Sequence, residues 1–211
     1  MCRSFAFGFD GLTTQIILIN LSVCFLRITL PIMPVLEIQT NDALVLRQKA
    51  APVQEINADL HPFIENMFET MYEAQGIGLA APQVGVSKRI VVIDIEAHHP
   101  EYPRIALINP VITMTVGEEL GEEGCLSLPG VRGMVRRAAI VKVEGQLPNG
   151  DKIEFDASNL MARVLQHEID HLNGILFTDL LHPEDQELLE PRPESSEEAV
   201  IENEDPLHGN K

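Results

Sequence analysis

Between Asn57 and Gly76 the apolar residues recur at steps of three and four: Leu60, Phe63, Ile64, Met67, Phe68, Met71 and Tyr72. That spacing puts them on one face of an α-helix and predicts a helix that buries the stripe in a core. Asn57 is placed to cap its start, and Gly76 stands where a left-handed residue would end it. A glycine-rich turn, 76–85, follows. Residues 89–95 (RIVVIDI) form a short β-branched run, the pattern of a buried strand. A further strand is expected over 106–114, with Pro110 marking a bulge or an edge. Residues 138–143 alternate and continue through Gly145. Pro148-Asn149-Gly150-Asp151 then signals a turn, and 152–155 reads as the returning strand of a hairpin. A second helix, capped by Ser158 or Asn159, should run to about Leu172 and stop at Asn173-Gly174. Strands surround two separate helices without β–α–β alternation, so the expected class is α+β.

The two ends do not share this pattern. Residues 16–26 are nearly all apolar until Arg27 interrupts them. Eleven residues are too few to span a bilayer. The length suits a signal-peptide core, but no A-x-A-like cleavage site precedes Pro34, and Asp10 lies in what should be a positive leader. Three readings stay open for 1–32: an unstructured extension or a start assigned too early, a targeting peptide, or a membrane-associated helix. Met33 is the alternative start. After Pro183, prolines and acids predict a disordered tail, 183–211. The globular body is therefore expected over 33–182.

With 211 residues the chain has room for one well-buried domain. Its net charge of −17 argues against a nucleic acid as direct partner, since phosphate binding relies on Lys and Arg. From Pro183 onward there are ten Asp and Glu against Arg192 and Lys211, so about half of that charge lies outside the body. Two of the three cysteines, Cys2 and Cys24, fall in the extension. The body's one cysteine, Cys125, has no internal partner, which favours a reducing compartment, the cytoplasm unless the extension directs the chain to an organelle.

The sharpest chemical pattern is His167-Glu168-Ile169-Asp170-His171, in the second predicted helix. Two histidines at i and i+4 share a helical face and can reach one metal ion. Glu168, about 100° further round the helix, can reach a water on that ion without ligating it. The bland alternative is a pair of hydrogen-bonded core histidines among Leu160, Met161, Val164, Leu165 and Leu172. A catalytic ion needs a third ligand, a distant His or Glu or a cysteine. Cys125 lies in Glu123-Gly124-Cys125-Leu126-Ser127, and taken alone a cysteine there is more often a small core residue. The remaining segment, Gly76-Ile77-Gly78-Leu79-Ala80-Ala81-Pro82-Gln83, lacks a dinucleotide fingerprint. Its small residues allow close approach of an extended peptide, and Gln83 offers an amide donor.

Together and in this order, GIGLAAPQ, EGCLS and QHEIDH closely resemble the three signature motifs of the peptide deformylases, over approximately residues 35–181. The resemblance implies a small α+β domain in which antiparallel strands pack around a central HExxH helix, with an N-terminal helix in the core. It implies removal of the formyl group from formyl-methionine at the start of nascent polypeptides, close to the ribosome. Carried over by position, it implies Cys125, His167 and His171 as ligands of one divalent metal, iron(II) in cells with zinc, nickel or cobalt able to substitute. It implies Glu168 as the acid/base, and Gln83 with the Leu126 backbone N–H as oxyanion donors. Ile77 and Val164 match positions lining the methionine pocket, Gly78 a glycine pairing with the bound peptide, and Arg132 a substrate-contacting arginine. Gly130 stands where some members carry Glu, and Arg163 where others carry an aliphatic pocket residue, so pocket detail and substrate range are open. No stable membrane association is expected.

Two rival readings remain. A zinc endopeptidase would share HExxH but want a downstream His such as His182 or His208, and it leaves Cys125 and Gln83 without a role. A non-catalytic chain would keep the fold and a structural metal without turnover, binding ribosomes or other partners.

Overall fold

The computed structural model describes residues 35–40 and 42–181. The expectations for the extension 1–32, the start at Met33, His182 and the acidic tail fall outside the described residues. Helix α1 spans Leu60–Glu73 and helix α2 Asn159–Leu172. Seven strands complete the fold: β1 Gly78–Ala80, β2 Ile90–Ile93, β3 Ile105–Val116, β4 Glu119–Cys125, β5 Leu128–Arg137, β6 Ile140–Gln146 and β7 Lys152–Ser158. Five form an antiparallel sheet in the order β1-β2-β3-β6-β7, while β4 and β5 pair as a separate hairpin inserted between β3 and β6. The class is α+β, as the pattern predicts.

The β-branched run of β2 is buried along its whole length because both faces of the sheet are covered there. Val91 and Ile93 point to one face and join Leu107, Val141, Val143 and Ala157 beneath Met161, Leu165, Ile169 and Leu172 of α2. Ile90 and Val92 point to the other and join Ala106 and Ile108 against Ile64, Met67, Phe68 and Met71 of α1. The period of two in the strands thus sorts alternate residues between two helices. Burying such side chains contributes about 1.5–3 kcal/mol each.

Pro110 does mark a bulge: Asn109 and Pro110 oppose Gly145 alone, where proline's missing donor costs no ladder bond. The Asn109 side chain there brackets Val53, accepting its N–H at 2.8 Å and donating to its carbonyl at 2.9 Å. Gly150 (φ 89°) closes the β6–β7 turn, as expected.

The helix ends depart from expectation in three places, one of them at α2, where Ser158 holds the cap position but its side chain makes no cap bond. Asn57 does not cap α1 with its side chain; Asp59 occupies the cap position and likewise makes no side-chain cap bond. The left-handed residue that ends α1 is Gln75 (φ 56°), not Gly76. The Gln75 and Gly76 N–H groups return to the Tyr72 and Met71 carbonyls, which satisfies the last turn of the helix. Gly76 is required for another reason: a Cβ there would lie 2.8 Å from the Leu126 side chain. At α2, Gly174 (φ 76°) does take the terminating role, and its open face abuts the Arg47 backbone.

Candidate active site

Cys125 ends β4, and His167 and His171 sit one turn apart on α2. The structure brings them together. The Cys125 Sγ lies 3.2 Å from His171 Nε2, which lies 3.2 Å from His167 Nε2. All three donor atoms fall within 4.8 Å of one another. Ligands bound tetrahedrally at 2.0–2.3 Å sit about 3.5 Å apart, so this spacing fits one ion held by a thiolate and two imidazoles. Two Nε2 atoms turned toward each other and toward a sulfur are poorly satisfied by protons alone, and such a mixed sulfur–nitrogen set suits borderline-soft transition metals. It is the only such cluster among the described residues.

The supports of these side chains are also built in. His167 Nδ1 lies 2.9 Å from Glu123 Oε2, which fixes the ring and turns Nε2 toward the cluster. The Phe177 ring stacks on His167 at a centroid distance of 6.1 Å. Glu123 is buried and gripped by the Arg137 fork at 2.9 and 3.0 Å and by Arg163 at 2.8 Å, and Arg137 also pairs with Asp170. Burial would raise the Glu123 carboxyl, but the bonds to His167 and Arg137 override it and hold it down at about 2. Burial opposes a charge on His167 as well, yet the Cys125 sulfur and Glu123 raise it to about 10. That is a proton a bound cation would displace, since a ligating imidazole must be neutral. His171, fully buried beside this charge, is held well below its ordinary value.

Glu168 points into the same space. It is 3% exposed, its Oε2 has no hydrogen-bond partner, and burial pushes its carboxyl up to about 7 against the attraction of His167. Facing it is Gly78, where a Cβ would press directly on Glu168 Oε1. Gln83 lies in the turn after β1. Its Oε1 accepts the Ala80 N–H at 2.7 Å, which leaves Nε2 directed at Cys125 Sγ (3.5 Å) and Ser127 Oγ (3.3 Å). Leu126 follows Cys125 in the two-residue turn between β4 and β5.

A cleft of about 680 Å³ opens onto these groups. Ile77, Gly78, Val164 and Leu126 line it together with His167 and Glu168, and Arg132 stands on its rim. Arg132 is half exposed and pairs with Glu122 at 3.3 Å. β1 is an edge strand of the five-stranded sheet. Every residue to which the family resemblance gives a site role therefore borders one cavity or the Cys125–His167–His171 cluster, while His182 and His208 lie outside the described residues. Sequence reasoning assigned no role to Glu123, Arg137, Asp170, Ser127 or Phe177. Glu123 and Ser127, the ends of the EGCLS segment, and Asp170, inside HEIDH, carried a cue by lying in the quoted motifs; Arg137 and Phe177 carried none.

The family model for polypeptide deformylase matches residues 34–187. A peptide deformylase of Thermodesulfovibrio yellowstonii is 53% identical over 156 residues, 74% of this chain and 94% of the relative. One from Desulfitobacterium hafniense is 55% identical over 135 residues, 64% and 87% of the two chains. Among solved structures, the peptide deformylase of Synechococcus elongatus in complex with actinonin superposes with a TM-score of 0.68 at 46% identity, covering 71% of this chain and 82% of that one. The Thermotoga maritima enzyme gives 0.67 at 40% identity, with 71% and 99% covered. A Met-Ala-Ser-bound peptide deformylase from Acinetobacter baumannii gives 0.66 at 37% identity, with 71% and 99% covered.

Proposed function

This chain belongs to the peptide deformylase family, hydrolases that remove the formyl group from the N-terminal methionine of new polypeptides, and on that premise we propose which residues carry the reaction. The observation that carries the assignment is the convergence of Cys125, His167 and His171 beside a buried, unpartnered Glu168. Those three hold the metal that the family depends on, with α2 as the central element around which the strands pack. A divalent ion there supplies Lewis acidity and a nucleophilic water at neutral pH. Iron(II) is the assigned ion in cells, and zinc, nickel or cobalt fit the same donors.

A formamide resists attack because its nitrogen lone pair is delocalised into the carbonyl. Glu168 takes the proton of the attacking water and then delivers it to the departing amine, so one carboxyl serves both steps. Its place beside His167, with Oε2 unengaged by the protein, leaves it able to face the water rather than another side chain. The Gln83 amide, anchored through Ala80, and the Leu126 N–H donate to the oxyanion that forms. Anchoring matters because a donor already oriented costs no reorganisation as charge develops. The peptide lies extended along edge strand β1, pairing with the Gly78 backbone, a mode that reads backbone more than side chains. Ile77 and Val164 wall the methionine pocket, and Arg132 meets the peptide at the rim. The Acinetobacter baumannii relative holds a Met-Ala-Ser peptide, which supports a short Met-initiated peptide as ligand.

We assign action close to the ribosome in a reducing compartment, the cytoplasm, on the formylated substrate and the lone body cysteine. Among the described residues no helix is long and apolar enough to cross a membrane.

Glu168→Gln tests the assignment. The variant keeps size and helix-forming character, and the three ligands remain. Metal content and affinity for a Met-peptide product should stay near wild type, while turnover of a formyl-Met-peptide falls by roughly 10²- to 10⁴-fold or more. Near-normal kcat would sink the mechanism. Loss of metal would make Glu168 a structural residue instead.

A further inference from the structure

The metal cluster straddles two pieces of the fold. Cys125 belongs to hairpin β4–β5 and the two histidines to α2. Among the described residues no apolar cluster contains side chains of both α2 and the hairpin. α2 packs on the five-stranded sheet, whereas Cys125, Leu128, Val131 and Val135 pack on Phe177 and Leu181. What joins helix to hairpin is a polar seam. Arg163, Gln166, His167 and Asp170 recur at helical spacing on one stripe of α2, and each side chain but Gln166, which brackets Ala138 just beyond β5, reaches the hairpin itself.

Arg163 is the widest clasp in this seam. Its guanidinium donates to the carbonyls of Glu119 (2.9 Å), Gly121 (3.3 Å) and Val135 (3.0 Å) and to Glu123 Oε1 (2.8 Å). It therefore grips both strands of the hairpin and the carboxylate that orients His167. Gly121 is shaped to receive it, since a Cβ at that position would lie 2.8 Å from the Arg163 Cζ. The side chain is 12% exposed and belongs to the cleft lining as well as to the seam. A planar fork with several fixed donors suits this task, and a lysine ammonium cannot reproduce it.

We infer that Arg163 is a positioning residue of the metal centre: by clasping β4–β5 to α2 it sets the separation between Cys125 and the histidine pair and, through Glu123, the ring orientation of His167. The inference rests on the ligand assignment above. It also gives the arginine at this position a role in the seam beside its place in the cleft lining.

The test uses the full chain loaded with cobalt(II), whose visible and thiolate charge-transfer bands report ligand geometry directly. Arg163→Leu and Arg163→Lys are compared with wild type by circular dichroism, cobalt spectrum and chelator competition. Arg136→Leu, which removes an exposed pair with Glu118 on the same hairpin, is the control. Arg163→Leu is expected to shift the cobalt bands and weaken metal retention by about 10- to 100-fold, the range for removing such a support of a ligand. Arg163→Lys should lose less, and Arg136→Leu nothing. A role in stability alone would lower the melting temperature while leaving spectrum and affinity at wild type, and that result in folded Arg163→Leu overturns the inference. If Arg163→Leu does not fold, Arg163→Lys decides by the same readouts, unchanged bands and retention being the overturning result. Cys125→Ala separates the two layers: full cobalt retention in that variant sinks the ligand assignment itself, whereas its loss beside an unaffected Arg163→Leu sinks the clasp alone.

Discussion

Adding one methyl group at Gly78 should cripple turnover while leaving the metal in place. The backbone at Gly78 is ordinary strand, so no left-handed conformation is at stake and the whole effect is steric. The new Cβ would press on Glu168 Oε1 and lie 3.0 Å from its Cδ and 2.9 Å from Val164 Cγ1. Neither neighbour yields easily, because β1 is held in register with β2 and α2 is packed on the sheet behind it. Overpacking of this kind costs about 1–3 kcal/mol. For a domain of this size that lowers the melting temperature by roughly 2–4 °C per kcal/mol. The larger effect is on chemistry. Glu168 must rotate away from Gly78, and losing its position should cost roughly 10²- to 10⁴-fold in kcat. Metal content should be unchanged, because the three atoms nearest the new methyl belong to Glu168 and Val164 rather than to the proposed ligands. The double variant Gly78→Ala/Val164→Ala removes the clash with valine only, so it should recover stability and not kcat. Steady-state kinetics on a formyl-Met-peptide, metal analysis and a thermal melt give all three readouts. A folded Gly78→Ala protein with wild-type kcat would show that Glu168 does not work from the position seen here.

Cys125→Ala should lose metal and activity together, as read by metal analysis; an iron-loaded wild type should lose activity in air faster than a nickel-loaded one, since thiolate and iron(II) both oxidise. Phe177→Ala should cost about 3–5 kcal/mol in denaturant melts, because Phe177 is 1% exposed and stacks on His167; a cost below 1 kcal/mol would remove it from the core. A chain cut to residues 33–182 should fold and turn over substrate at the full-length rate, and insolubility or inactivity of that piece alone would show that the flanks belong to the domain.

Much of this protein is legible without coordinates, and the reason is local. The stripe from Leu60 to Met71, the β-branched run of β2, the turn at Gly150 and the stop at Gly174 each follow from a periodicity or a backbone preference within a few residues. The two histidines belong with these, because i and i+4 on a helix meet whatever surrounds them. Hairpin β4–β5 is different. Its strands, ELGEEGC and LPGVRGMVRR, are rich in glycine and charge, and neither alternates clearly. They are strands because they pair with each other and because the Arg163–Glu123 and Arg137–Asp170 ion pairs, with the Arg163 bonds to hairpin carbonyls, anchor them to α2 across up to 44 positions. The end of α1 is a smaller case: Gln75 accepts the left-handed turn, and Gly76 is reserved for the approach of Leu126. The sequence by itself determined which residue types the three motifs bring to the candidate site and which helix bears the histidines. Tertiary structure brought a cysteine 42 residues before His167, which the motif resemblance had pointed to, against the histidines, and it alone decided that a buried Glu123 steadies the cluster and that Gly78 makes room for Glu168. Contacts at such separations arise from how whole elements pack, and no short window of sequence encodes that.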